Sequence, residues 1–235
     1  MQEFDLLYLN PRDYDNRILI DEDVLPWFSA VNAFWQYEGE PSPEKPHAEL
    51  TSGLCSGGYF DVPRVLRYPK VAEILGRQLG WRLRDSAVLG RVDWVVSSAY
   101  AAIVFGHEVA KVLNAVFLNT EKDPTNPKKQ LWQKQTIPGG SRVLQVEELI
   151  TTTQTLEEVR RAVIEDNAEP VEFLPIVGTL VLRPEKILSE YAGKAIIGFI
   201  EREIKNYRPE ECPYCTVGSL PYRPKTHWAE LTGKK

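Results

Sequence analysis

Sulfur and imidazole are scarce in this chain, whose 235 residues hold three cysteines, one methionine and three histidines. Three cysteines, with Cys55 far from Cys212 and Cys215, are too few for the disulfide framework of a small secreted domain and fit a reducing compartment. No run approaches the roughly 20 consecutive apolar residues that a membrane-crossing helix needs. The opening Met1-Gln2-Glu3-Phe4-Asp5 is acidic where a signal peptide is basic, so a cytoplasmic protein without a membrane partner is expected. Positive charge is also missing in surplus: 28 Lys and Arg face 33 Asp and Glu, a net charge of −5. That balance gives no general attraction to nucleic acid or anionic lipid, so a phosphorylated ligand must be held by a local site.

What the chain does have is an ordinary globular composition, 43% hydrophobic and 26% charged, which predicts one compact domain with small additions at each end. Up to about Gly58 the sequence is irregular. The stretch Glu38-Gly39-Glu40-Pro41-Ser42-Pro43-Glu44-Lys45-Pro46 breaks any regular element at its prolines, and the region reads as a hood over the main body. Residues 68–82 carry Val71, Ile74, Leu75, Leu79 and Trp81 at near-helical spacing, and residues 92–96 form a short β-branched run. A helical stretch at 101–113, strands at 115–118 and 142–146, and a helical pattern at 155–166 follow, with further β-prone runs at 170–182 and 195–200. This alternation predicts an α/β fold in which a parallel sheet is flanked by helices. The expected divisions are a hood at 1–66, a core at 67–205 and a tail at 206–235.

Residues 142–155 concentrate the chemistry. A buried strand delivers the adjacent carboxylates Glu147 and Glu148, then the hydroxyl-rich run Thr151-Thr152-Thr153-Gln154-Thr155 opens a helix. Ligands of open parallel sheets sit at the carboxyl ends of the strands, where a helix N-terminus offers free N–H groups and a partial positive charge to a phosphate. Carboxylates beside it can accept hydrogen bonds from sugar hydroxyls and help position Mg²⁺. The bland alternative is a strand followed by an N-capped helix, since Thr caps helices and Glu suits the first turn.

The segment resembles the phosphoribosyl pyrophosphate motif of the type I phosphoribosyltransferases, with Glu147 and Glu148 as the acidic pair and Thr151 to Thr155 as the 5′-phosphate loop. Thr153 and Gln154 stand where that family mostly has two glycines. Three other stretches, in the right order, are similar to the orotate branch of the family. The run from His47 to Asp61 resembles its base-covering segment, which implies Thr51, Ser52, Gly53, Tyr59 and Phe60 as base-binding residues, although core packing is the stronger reading for the two aromatics. Ser97, Ser98, Ala99, Tyr100 and Ala101 occupy the place of its pyrophosphate loop, with small residues replacing glycines; a plain strand-to-helix turn is the competing reading. Asn119 to Gly140 resembles a mobile catalytic loop, which implies Lys122 as the catalytic lysine, with Lys128, Lys129 and Lys134 behind it. Arg183 matches a basic residue after the family's penultimate strand, and the resemblance implies it as a further base-binding residue.

The resemblance implies a type I phosphoribosyltransferase fold, Rossmann-like, with an N-terminal hood. It implies a pentosyltransferase joining ribose 5-phosphate from phosphoribosyl pyrophosphate to orotate in pyrimidine biosynthesis, with Mg²⁺ as cofactor, Lys122 and Glu148 as catalytic residues, and a homodimer as the assembly. Two alternatives stay open: a nucleotide-binding regulator of the same fold that has lost catalysis, suggested by the substituted glycines, and a transferase for another base. A third reading is a zinc-stabilised interaction module. Cys212-Pro213-Tyr214-Cys215 has the spacing of a zinc knuckle and His227 offers a third ligand, but a fourth is not apparent, so a structural turn is favoured over a weak zinc site at Cys212 and Cys215. His107 reads as structural and His47 is left undecided.

Overall fold

The computed structural model describes residues 2–87, 89–126, 128–133, 135–184, 190–191 and 194–233. Its centre is a sheet of five parallel strands: β1 (Trp94–Ser97), β2 (Val116–Asn119), β3 (Arg142–Ile150), β4 (Glu172–Leu182) and β5 (Lys194–Glu201). They lie in the order β5-β4-β3-β1-β2, and a short antiparallel segment, Glu190–Tyr191, edges β5. Four longer helices accompany the sheet: α1 (Asp21–Ala30), α2 (Pro69–Arg84), α3 (Ala102–Leu113) and α4 (Gln154–Asp166). This is the parallel α/β architecture that the alternation of periods predicts.

Burial on both faces explains why the strands read as nearly continuous apolar runs. Side chains alternate across the sheet. Val95, Leu144 and Val146 enter a large core with α2 and α3. Val96 and Val143 point the other way, to Val159 and Val163 of α4. The helices α2 and α3 approach closely because glycines line their contact: a Cβ on Gly76 would lie 2.4 Å from the Glu108 Cβ, and one on Gly80 would lie 2.7 Å from the Val112 Cβ.

The main difference from expectation within the sheet is the length of β3, which runs to Ile150 rather than stopping at Val146. Glu147 and Glu148 are therefore strand residues, held in register beside β4 by the Thr179–Glu147 pairing.

The hood is more ordered than its composition suggests. Helix α1 contains Pro26, which breaks the helical signal, yet Val24, Trp27 and Phe28 at helical spacing are buried in the main core with Leu6 and Leu19. Asp23 accepts from the Ile20 N–H at 3.0 Å and so caps the helix start. Gln78 of α2, 2% exposed, stitches the hood to the body. Its Oε1 accepts from the Leu19 N–H at 2.9 Å, and its Nε2 donates to the carbonyls of Tyr14 and Arg17 at 3.0 and 2.9 Å.

Hood and tail also share a small sheet. Asn206–Tyr207 pairs with Cys55–Ser56, which pairs with His47–Glu49, which pairs with Pro221–Tyr222. The two tail strands flank the hood hairpin, one on each side, so neither end completes the sheet alone. No helix among the described residues is long and apolar enough to cross a membrane.

Replacing Gln78 with Leu removes three hydrogen bonds and leaves the buried Leu19 N–H and the part-buried Tyr14 and Arg17 carbonyls of the hood without their Gln78 partner. The expected cost is about 2–4 kcal/mol in urea unfolding, given the desolvation penalty of unmade buried bonds; a change under about 0.5 kcal/mol, the range of an ordinary surface substitution, would mean that the hood is not held there.

Candidate functional site

In the parallel sheet the chain leaves β1 in one direction to reach β2 and returns to the other side to form β3. At such a reversal the two outgoing connections diverge and leave a crevice beyond the carboxyl ends of the strands, where open α/β folds bind ligands. The structure has a cavity of about 270 Å³ at that place, lined by Ser98, Ala99, Lys122, Lys128, Gln130, Glu147, Glu148, Leu149, Gln154 and Thr155. A larger hollow of about 830 Å³, between Arg84 and Val116, borders the opposite ends of β1 and β2, away from these side chains.

Two carboxylates dominate the cavity. Glu147 is 1% exposed, and the Ser98 hydroxyl donates to its Oε2 at 2.5 Å across the β1–β3 gap. Burial pushes its carboxyl well above the usual carboxylate range, and the neighbouring Glu148 charge adds to the shift; the hydrogen bonds from Ser98 and Gln145 oppose it. Glu148 is raised too, chiefly by burial, against the pull of its own backbone N–H and of the Lys122 ammonium. Gln145, on the same face as Glu147, donates to the Leu156 carbonyl at 3.2 Å and so ties β3 to the first turn of α4.

The cations come from a hairpin. Glu121–Lys122 pairs antiparallel with Gln130–Leu131, setting Lys122 opposite Gln130. The turn is built around Asp123, whose Oδ1 accepts from the Thr125 N–H and Oγ1 at 2.7 and 2.6 Å and from the Asn126 N–H at 3.1 Å. Gln130 is fixed on both sides, its Oε1 accepting from Thr120 at 2.7 Å and its carbonyl from Arg161 at 2.9 Å. A paired acidic floor, two lysines above it and a helix N-terminus to one side can together hold a ligand carrying phosphates next to a diol.

Related proteins point the same way. No family model matches the chain. An orotate phosphoribosyltransferase of Desulforamulus reducens is 31% identical over 183 residues, covering 76% of this chain and 87% of the relative. One from Pelotomaculum thermopropionicum is 30% identical over 178 residues, covering 76% and 87%. The chain belongs to the orotate phosphoribosyltransferase family. Its fold matches the crystal structure of the orotate phosphoribosyltransferase from Aeropyrum pernix with a TM-score of 0.52, at 16% identity, over 76% of this chain and 93% of that one. The fold is thus the type I phosphoribosyltransferase fold, and the chain is a member of a pentosyltransferase enzyme family.

Within this family member, Glu147, Glu148, Lys122, Ser98, Ala99, Gln154 and Thr155 meet at one cavity. The turn at 151–155 needs no glycine. Thr153 has φ −81°, and among the described residues the non-glycine positive φ values belong to Asn32 and Asn114. Thr153 turns its hydroxyl to Glu157 at 2.9 Å, and Thr151 and Thr152 are not among the lining residues. Ser97 is fully buried, Tyr100 is 72% exposed, and Ala101 caps α3; the Ala99–Tyr100 peptide is cis.

The stretch toward Gly140 is less open than a long lid. Trp132 and Ile137 are buried, and their N–H groups donate to Asp166 and Asn167 at the end of α4. Lys129 is exposed and outside the lining, and Lys134 lies outside the described residues.

The residues matched to a base site are not part of the cavity lining. Thr51, Ser52 and Gly53 form the exposed turn of the His47–Ser56 hairpin, with Gly53 at φ +81°. Phe60 is in the core, 4.7 Å from Phe34 and 5.8 Å from Phe28 between ring centres, and Tyr59 is buried with its hydroxyl on Asp61. Arg183 is also buried and donates to Asn206 at 2.9 Å, joining the end of β4 to the tail. Lys128 and Gln130 come to the site through the hairpin register, which the polar sequence of that stretch does not reveal.

A carboxyl with a higher pKa in the folded than in the unfolded chain favours folding while protonated. That contribution is present at low pH and is lost as pH rises through the raised folded value. In buffer without divalent metal or ligand, Glu147→Gln should therefore unfold at an increasingly higher temperature than wild type as pH climbs from about 5 to about 9. Parallel pH profiles for the two proteins in a thermal-unfolding series would contradict the raised carboxyl.

Proposed function

We propose that this chain transfers ribose 5-phosphate from phosphoribosyl pyrophosphate to orotate, giving orotidine 5′-phosphate and pyrophosphate. The observation that carries the reading is the pair of buried Glu147 and half-buried Glu148 lining one cavity with Lys122 and Lys128 at the crevice between β1 and β3. Family membership supplies the reaction class.

The residues divide the substrate's charges among themselves. The first turn of α4, with Thr155, receives the 5′-phosphate through N–H groups left free at the helix start. Glu147 and Glu148 accept from the ribose hydroxyls, and the Ser98 hydrogen bond holds Glu147 in place for this. The pyrophosphate departs as the C1–O bond breaks, and the electron-poor ribose carbon is attacked by a ring nitrogen of the base. Positive charge on the ribose is stabilised by the adjacent carboxylates, and negative charge on the pyrophosphate by Lys122 and Lys128.

Mg²⁺ fits the donor set, since two desolvated carboxylates that resist ionisation offer hard oxygen ligands and gain from a nearby cation. Glu147 and Glu148 are the residues that would help hold it, and when bound it supplies charge neutralisation for the pyrophosphate. The exposed Thr51–Gly53 turn is assigned to the base because a glycine turn admits close backbone approach by a flat ring. A homodimer is part of the same reading and is checked by light scattering.

Mixing the protein with orotate, phosphoribosyl pyrophosphate and Mg²⁺ should release pyrophosphate. Glu148→Gln should lower kcat/KM by about 10²-fold or more, and Lys122→Ala by about 10²–10³-fold, the range for removing one aligned charge. Ligand binding seen by calorimetry without any turnover would overturn the enzymatic reading in favour of a nucleotide-binding regulator, and unchanged activity in Glu148→Gln would displace the ribose site.

A further inference from the structure

The small sheet shared by hood and tail brings together four side chains that the transferase site does not use. His47, Cys55, Cys212 and Cys215 each offer one ligand atom, and these atoms all lie within 4.8 Å of one another. The Nε2 of His47 lies 3.4 Å from the Cys215 sulfur and 3.8 Å from the Cys212 sulfur, and the Cys55 and Cys215 sulfurs are 3.6 Å apart. Zinc bonds of about 2.3 Å to sulfur and about 2.0 Å to nitrogen, in a tetrahedron, require edges of about 3.8 Å between sulfurs and about 3.6 Å between sulfur and nitrogen. These three spacings lie within about 0.2 Å of those edges, and the 3.6 Å between the Cys55 and Cys215 sulfurs is far from the S–S bond of about 2.05 Å in a disulfide.

The neighbours prepare the ligands. The Ser219 hydroxyl donates its single proton to the Lys45 carbonyl at 2.6 Å, so at its 2.8 Å contact with His47 Nδ1 the serine oxygen accepts. The proton of a neutral His47 ring is thereby fixed on Nδ1, and the bare lone pair of Nε2 faces the sulfurs. Burial favours the neutral ring, lowering the His47 pKa. Tyr214 stacks on that ring at 5.3 Å and 25°. In the Cys-Pro-Tyr-Cys turn the Cys215 N–H donates to the Cys212 sulfur at 3.5 Å, which fixes the two cysteines on one side of the turn. His47, Cys55 and Cys212 are buried, which leaves the protein side chains to fill all four positions.

We propose that His47, Cys55, Cys212 and Cys215 form a closed structural site for Zn²⁺ that joins the hood to the tail. Three thiolates and one imidazole in a tetrahedron select a borderline-soft ion over Mg²⁺ or Ca²⁺, and a full set of protein ligands leaves no open position for catalysis. His227, the third ligand suggested by the sequence, is not part of the cluster: its Nδ1 contacts Thr226 at 2.8 Å and its ring stacks on Tyr222.

The test uses the full chain, purified without a metal-affinity resin and dialysed against a weak chelator. Elemental analysis should find close to one zinc per chain. Cobalt exchanged into the wild-type protein should show the visible bands of a tetrahedral ion together with thiolate-to-cobalt charge transfer, a readout that needs no variant to fold. Cys212→Ser and His47→Gln should lose the metal, whereas His227→Gln should keep it. The proposal is overturned by zinc-free wild-type protein, by alkylation mass spectrometry showing a Cys55–Cys215 disulfide, by a six-coordinate cobalt spectrum, or by full zinc retention in Cys55→Ser/Cys215→Ser.

Discussion

Glu147 stands in the middle layer of the molecule with its carboxylate out of water, and a lone charge there is costly unless neighbours compensate it. The parallel sheet creates that situation, because strands covered by α2 and α3 on one face and α4 on the other leave solvent only beyond their carboxyl ends. The partners of Glu147 follow from the topology. Ser98 arrives from the end of β1, Gln145 anchors the start of α4, and the β2 hairpin sets Lys122 near Glu148. Gln145 lies on β3 itself, whereas Ser98 and Lys122 come from different connections around the same crevice, so the site depends on the strand order being right before any side chain matters.

The hood obeys a different constraint. It is held by what lies beneath and beside it: Leu6, Leu19, Trp27 and Phe28 in the common core, Gln78 on its backbone carbonyls, and tail strands on its His47–Ser56 hairpin. The four ligands at the hood–tail junction lie on both legs of that hairpin and on the tail turn. A metal there would convert binding energy directly into order at the turn carrying Thr51 to Gly53.

Helices α2, α3 and α4 were readable because their apolar residues repeat at helical spacing, and β1 to β5 because short β-branched runs separate them. Helix α1 was hidden by Pro26, although Val24, Trp27 and Phe28 carry the period. The acidic pair and the hydroxyl run were legible as a site because they are contiguous. Phe60 packs among Phe28 and Phe34, the stronger of its two sequence readings, whereas Arg183 illustrates the opposite case: its type suits a base site, but it is buried and donates to Asn206. Residue type states what a side chain can do, and packing decides whether a ligand can reach it.

From the chain alone come the α/β class, the parallel sheet and the association of Glu147, Glu148 and Thr155 with a strand end and a helix start, since local periodicity and short spacing are properties of adjacent residues. The tertiary structure alone decides which lysines face the carboxylates, how deeply Glu147 is buried, and that His47 and Cys55 meet Cys212 and Cys215. The hood pair and the tail pair are separated by more than 150 positions, as the 160-residue interval from Cys55 to Cys215 shows. No local pattern links residues so far apart; only the strand pairing of hood with tail brings them within bonding reach of one ion.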